Sequence, residues 1–185
     1  GYTAGNLDSN TSSGGDDLIL IKYNSSGTRQ WTQQYGSSGS DYARGVSLDS
    51  SGNIYVVGDT SGGLGSNSNS GSEDLFLIKY DSSGNLQWTK QLGTFTNDVA
   101  FDVATDSSGN SYVTGYTGSS LDSNTHSGEL DLFLVKYDTS GNKSWSKQMG
   151  TSTSDYARGV SVDADGNVSF TGYTTAALDG QTHYG

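Results

Sequence analysis

Polarity along the chain falls into short apolar runs separated by connectors rich in Gly, Ser, Asn, Thr and Asp. The segment Gly58–Thr114 shows the pattern well. In Asp74–Tyr80, Leu75, Leu77 and Lys79 point one way while Phe76, Ile78 and Tyr80 point the other, so the run predicts a strand sandwiched between two layers. Leu86–Leu92 places Leu86, Trp88, Lys90 and Leu92 on one face and predicts a more exposed strand anchored by its Trp. Asp98–Thr105 carries Ala100 and Ala104 where backbones must approach closely, and Ser111–Thr117 is β-branched and aromatic. Asp81–Asn85 and Asp106–Asn110 predict short hairpin loops, in which Asp bonds its own backbone and Gly supplies positive φ. No helical period interrupts this pattern, and the Ser, Thr, Asn and Gly content opposes one.

The pattern repeats. Trp31, Trp88 and Trp145 recur with a step of 57 residues, and so do the glycines of Gly1-Tyr2-Thr3, Gly58-Asp59-Thr60, Gly115-Tyr116-Thr117 and Gly172-Tyr173-Thr174. The chain divides into units 1–57, 58–114 and 115–171 with a partial unit 172–185. Four short antiparallel strands per unit, stacked on apolar faces, predict an all-β fold of β-propeller blades, with a solenoid of sheets as the structural alternative. Trp31, Trp88, Trp145, Gly58, Gly115 and Gly172 are the structural markers of the repeat. Ala43–Asp49 and Gly52–Val57 read as the two inner strands of a blade, and the Leu-rich and Trp runs as the third and outermost. The chain then opens on outer strands, contains two whole blades and closes on inner strands. About three blades' worth of sheet is too little for a ring of four to eight. The expectation is a ring completed by a second copy or by further blades of a longer parent, or else an open array.

Composition changes the picture in three ways. Hydrophobic residues are only 31%, but they concentrate in the β-rich runs, which argues against disorder. The formal net charge of −11 disfavours nucleic acid and anionic membranes and leaves cations as the plausible charged partners. The absence of Cys excludes disulfides and thiolate metal sites, and no apolar run approaches the roughly 18 residues of a membrane span. Residue 1 is Gly rather than Met, so a fragment or processed piece of a longer protein is expected.

Asp74-Leu-Phe-Leu-Ile-Lys-Tyr-Asp-Ser-Ser-Gly-Asn-Leu-Gln-Trp-Thr-Lys-Gln-Leu-Gly93, with Asp106-Ser-Ser-Gly-Asn-Ser-Tyr-Val-Thr-Gly-Tyr-Thr117, closely resembles the bacterial SBBP repeat of seven-bladed β-propellers. The resemblance covers all three units and the terminal stub. It implies a propeller fold and a place in a large secreted or cell-surface bacterial protein, with no assigned molecular activity. Gly109–Val113 is similar to the inner hairpin of NHL-type propellers. Asp81–Trp88 is similar to the tryptophan-docking segment of quinoprotein propellers, in which an outer-strand Trp packs on the adjacent blade; no quinone chemistry comes with it, and the segment lies one residue out of register with the sialidase-type Asp box.

Candidate chemistry sits in the loops. Leu7–Asp17 and Leu121–Asp131 offer oxygen donors at alternate positions, then Gly, then a carboxylate, which is the logic of a calcium loop. Asp8, Asn10 and Asp17, with Asp122, Asn124 and Asp131, are its candidate ligands; a polar loop of Asx-turns is the alternative, and Gly65 replaces the first Asp in the second unit. His126 and His183 occupy equivalent places and read as solvated loop histidines. Asp41, Asp98 and Asp155 precede the inner strand, with Arg44 and Arg158 following in two units and Phe101 in the other, so an Asp–Arg pair could bind a ligand or tie blades together. Lys22, Lys79 and Lys136, within apolar strands, should pair with carboxylates. Tyr2, Tyr116, Tyr173 and Tyr184 read either as sugar-stacking platforms or as interface packing. No nucleophile–base set, acid–base carboxylate pair or nucleotide fingerprint emerges. The reading is a non-enzymatic structural or interaction module without a cofactor, acting in assembly or adhesion. The alternative is a propeller that binds glycans or calcium.

Overall fold

The structure is a computed structural model and describes residues 1–183. Thirteen strands follow one another: β1 (Tyr2–Thr3), β2 (Asp17–Tyr23), β3 (Arg29–Tyr35), β4 (Asp41–Leu48), β5 (Ile54–Thr60), β6 (Asp74–Tyr80), β7 (Leu86–Leu92), β8 (Asp98–Thr105), β9 (Ser111–Thr117), β10 (Asp131–Tyr137), β11 (Lys143–Met149), β12 (Asp155–Val162) and β13 (Val168–Thr174). One 3-10 turn, Leu121–Ser123, interrupts the all-β pattern. The strands form four antiparallel sheets: β1-β2-β3, β4-β5-β6-β7, β8-β9-β10-β11 and β12-β13. The two four-stranded sheets are whole blades. The first sheet is an outer pair with a two-residue stub, and the last is an inner pair. Among the described residues the sheets stack without closing a ring.

Hairpin chemistry sets the strand register. In Asp106–Asn110, the Asp106 carboxylate accepts the N–H groups of Ser108 and Asn110 and the Asn110 side-chain amide, while Gly109 takes φ +80° and donates to the Asp106 carbonyl. The same bonds recur at Asp49, Asp81, Asp138 and Asp163. Each complete inner pair also carries a bulge, between Ala43 and Gly45, Ala100 and Asp102, and Ala157 and Gly159. It bends the inner strand and re-aims the side chain at the bulge.

The core lies between sheets. One cluster joins Tyr55, Val57, Leu75 and Leu77 to Ala100, Val113 and Phe133; a second joins Leu18 to Val56, Phe76 and Ile78. Outer strands dock differently. The ring of Trp31 lies against Gly84 and that of Trp88 against Gly141, the hairpin glycines of the following blade. Lys22 and Lys79 donate across the same junctions to the carbonyls of Ser82 and Thr139, at 2.7 and 3.2 Å, and Lys79 lies over the Tyr55 ring. The expected carboxylate partners are therefore corrected to carbonyls and rings: the ammonium groups emerge over the neighbouring hairpin, where the turn carbonyls point outward.

Among the described residues, the first and last sheets each leave a strand edge unpaired. β1 pairs with β2 only at Leu18 and Asp17. β13 pairs only with β12. Val46 and Leu48 on β4 are 55% and 58% exposed, whereas Val103, the equivalent of Val46 inside the stack, is 4% exposed.

Candidate functional site

Each of the six calcium-candidate residues has partners within the protein. Asp8 pairs with Arg29 at 2.9 Å, and Asp122 pairs with Lys143 and accepts from the Ser146 hydroxyl. Asn10 and Asn124 turn their amides inward and donate to the Leu7 and Leu121 carbonyls, and onward to the Thr32 carbonyl and the Ser146 hydroxyl of the outermost strand. Asp17 and Asp131 are fully buried and accept Gln34 and Gln148, each at 2.8 Å. Asp8 and Asp122 have φ of +53° and +56°, and Gly65 at the same position has +66°. Left-handed backbone at that place explains the interchange of Asp and Gly. Among the described residues no group of three His, Asp or Glu side chains gathers as a metal would require.

His126 departs from the solvated expectation. Its ring stands 3.4 Å from the Asp131 carboxylate and 3.3 Å from the Gln148 amide, with the side chain only 21% exposed. His183 is exposed. The Asp–Arg pair exists, but with a different Asp. Asp41 is buried and accepts from Ser37, whereas Arg44 forks onto Asp59 through Nε and Nη2. The bulge turns Arg44 toward the strand beside it rather than back along its own.

Around that pair the copies diverge, and the divergences converge in space. Asp59 stands where Tyr2, Tyr116 and Tyr173 stand in the other units; Val99 replaces Tyr42 and Tyr156; Phe101 replaces Arg44 and Arg158. The Phe101 ring lies between two guanidinium groups, 3.9 Å from Arg158 and 5.6 Å from Arg44. Tyr116 meets Phe101 and Tyr156, and Tyr156 stacks on Tyr173 at 4.8 Å. Arg158 donates to the Tyr173 hydroxyl. Tyr184 lies outside the described residues.

Electrostatics follow from burial. Asp59 is fully buried, and that desolvation lifts its carboxyl above the ordinary range despite the Arg44 fork. Glu73 is lifted by burial and by the Asp59 charge. Burial and those two carboxylates hold the Tyr116 hydroxyl protonated. The cluster is an aromatic and arginine surface on the inner strands. It contains no nucleophile held against a base. Sequence reasoning found Arg44, Phe101, Arg158, Tyr116 and Tyr173, but not Tyr156, Asp59 or Glu73. The signal for Asp59 was the break in the 57-residue pattern, where the other units carry Tyr.

The pattern that defines the SBBP beta-propeller repeat matches residues 30–65 and 87–122. Two stretches of the chain thus match this repeat, and its stacked four-stranded antiparallel sheets are propeller blades. It is 27% identical over 125 residues to an uncharacterized WD repeat-containing protein of Acanthamoeba polyphaga mimivirus, a match covering 58% of this chain and 9% of that protein. It is 24% identical over 143 residues to the regulatory protein FlaEY of Caulobacter vibrioides, covering 70% of this chain and 15% of that protein. The chain thus spans a small part of the length of either relative.

Proposed function

We propose that this chain is a non-enzymatic interaction module that works by blade-to-blade assembly within a secreted or surface-exposed bacterial protein. The propeller repeats and the WD-repeat relative support the interaction role. The observation that bears on assembly is a sheet edge and an apolar face that a further blade would cover, whether from a second copy or from a longer parent chain. The free edge of β2 and the exposed Val46 and Leu48 form a surface that an inner strand pair of the same repeat would cover. β12 and β13 are such a pair, with a free edge of their own. Pairing on the pattern of β5 with β6 sets Val168 to Thr171 of one copy opposite Tyr23 to Leu20 of another, with Gly172–Thr174 taking the place that Gly1–Thr3 hold beside Ile19 to Asp17. Light scattering at micromolar concentration is expected to give a mass above that of one chain, and Val46→Lys with Leu48→Lys is expected to reduce it to one. A strictly monomeric parent would overturn self-assembly.

A second reading, glycan binding, rests on the Tyr156–Tyr173 stack and the Arg158 guanidinium beside it. Ring faces and a planar donor are what sugar recognition uses. Glycan-array binding lost in Tyr173→Ala, with the fold intact by circular dichroism, is the expected result of that reading. An array with no parental signal removes it.

A further inference from the structure

Two aspartates meet at each of the first two of the three junctions between blades. Asp17 and Asp74 open the third strand of one blade, and Asp41 and Asp98 open the first strand of the next. All four are fully buried. Backbone bonds fix the approach: the Asp41 N–H donates to the Asp16 carbonyl and the Asp98 N–H to the Glu73 carbonyl. In the first junction both carboxyl groups crowd Gly36, where a Cβ would stand 2.1 Å from Asp17 Oδ1 and 3.0 Å from Asp41 Oδ2. Asp17 Oδ2 accepts Ser13 N–H and the Gln34 amide, and Asp74 Oδ2 accepts Ser70 N–H and the Gln91 amide. The Oδ1 atoms of Asp17 and Asp74 are buried with no donor.

The neighbours supply hydroxyls and no cation. Asp41 faces Asp17 from β2, Ser37 and, from β5, Thr60; Asp98 faces Asp74 from β6, Thr94 and, from β9, Thr117. None of the four aspartates belongs to an ion pair among the described residues, and Arg44, on the same strand as Asp41, is committed to Asp59.

We propose that the Asp17–Asp41 and Asp74–Asp98 junctions each hold one proton between two buried carboxyl groups, so that blade docking takes up protons and tightens as the pH falls. Two buried like charges without a counter-ion cannot both persist cheaply, and a proton is the smallest ion that resolves them. Burial lifts the Asp41 and Asp98 carboxyls above the ordinary value of 3.8, the neighbouring aspartate adds to this, and the hydroxyl and N–H bonds offset it only in part. A raised native value means that the folded chain binds protons the unfolded chain releases. The stabilisation is full below the unfolded value and is lost as pH rises through the native one.

The hairpin aspartates act in the opposite sense. Asn85, Asn142 and Asn167 hold Asp81, Asp138 and Asp163 low; at Asp49 and Asp106 burial pulls upward, and the bonds from Asn53 and Asn110 overcome it. Their contribution is present above the ordinary value and lost as pH falls through the native one. Stability is therefore greatest a little above the ordinary carboxylate range, with losses on both sides.

Thermal unfolding of the 185-residue chain between about pH 7.5 and about pH 4.5 tests this. The melting temperature is expected to rise on acidification. The isosteric variant Asp41→Asn with Asp98→Asn is expected to melt higher than the parent at neutral pH and to show a flatter slope, by about two protons' worth. Asp59 and Glu73 keep a pull of the same sign in both proteins. A parent that loses stability throughout the descent, or a variant with the parental slope, would overturn the proposal. If the variant does not fold, unfolding heats of the parent in two buffers of different ionisation enthalpy give the protons released, and zero release overturns it. Calcium that raises the neutral melting temperature as far as acid does, with reversal by a chelator, would put a cation where the proton is placed and equally refute it.

Discussion

Replacing Gly115 by alanine is expected to lower the unfolding free energy by about 3 kcal/mol or more. Gly115 sits mid-strand in β9, opposite Ala100 on one side and Phe133 on the other. The bulge after Ala100 pushes the Val99 carbonyl toward it, and a Cβ there would stand 1.8 Å from that oxygen. Backbone, not a flexible side-chain tip, fills the space, so relief requires β8 to move away from β9. Moving it uncovers Val103, at the heart of the core between the two whole blades. Gly58 and Gly172 meet the carbonyls of Tyr42 and Tyr156 at the same 1.8 Å. A loss of this size consumes a large share of the stability of an ordinary domain. Urea unfolding of Gly115→Ala beside Gly5→Ala, where a Cβ meets nothing within 4 Å, is the measurement. Equal midpoints for the two would refute the close-approach account.

Trp88→Ala is expected to cost about 3 kcal/mol, and Trp145→Ala about 1 kcal/mol. The two residues are chemically identical and hold the same place in the repeat. Trp88 lies on the following hairpin at Gly141, packs against the core and meets the Tyr55 ring at 6.1 Å. Trp145 meets Tyr112 at the same ring distance but is 37% exposed, with no hairpin of a following blade against it among the described residues. The difference isolates what the outer strand gains from a neighbour: ring burial against a surface that only glycine leaves flat enough. Thermal or urea unfolding of both variants checks it. Comparable losses would mean that the indole stabilises its own sheet and not the junction.

Much of this architecture is legible in the sequence, because the forces that set it act over short distances. The strands of Asp74–Tyr80 and Leu86–Leu92 have the predicted bounds, since alternation and an Asp-x-x-Gly-Asn hairpin define them locally. The sites are less legible. Arg44 finds Asp59 instead of Asp41 because a bulge, which alternation does not reveal, rotates it. Asp8 and Asp122 share a positive φ with Gly65, a turn requirement that their spacing does not reveal. The burial of Asp17 beside Asp41 depends on one blade docking on the next, and no window of the sequence contains both faces of a junction.

The bulged inner strands have a consequence for how the chain finds its fold. β4 and β12 share the run Asp-Tyr-Ala-Arg-Gly-Val-Ser, and β6 and β10 differ only at Ile78 and Val135. A third strand emerging from a collapsed chain therefore meets second strands that offer it almost the same edge. A mistake shifts the pairing by a whole blade, not by one residue, and leaves every apolar side chain on its proper face. Such errors are nearly isoenergetic with the native arrangement and unravel slowly. The departures at Asp59, Val99 and Phe101 work against that degeneracy, because Asp59 meets Arg44 and Phe101 meets both Arg44 and Arg158 in the native arrangement. In a chain of near-copies, the irregular residues tell each blade which neighbour is its own.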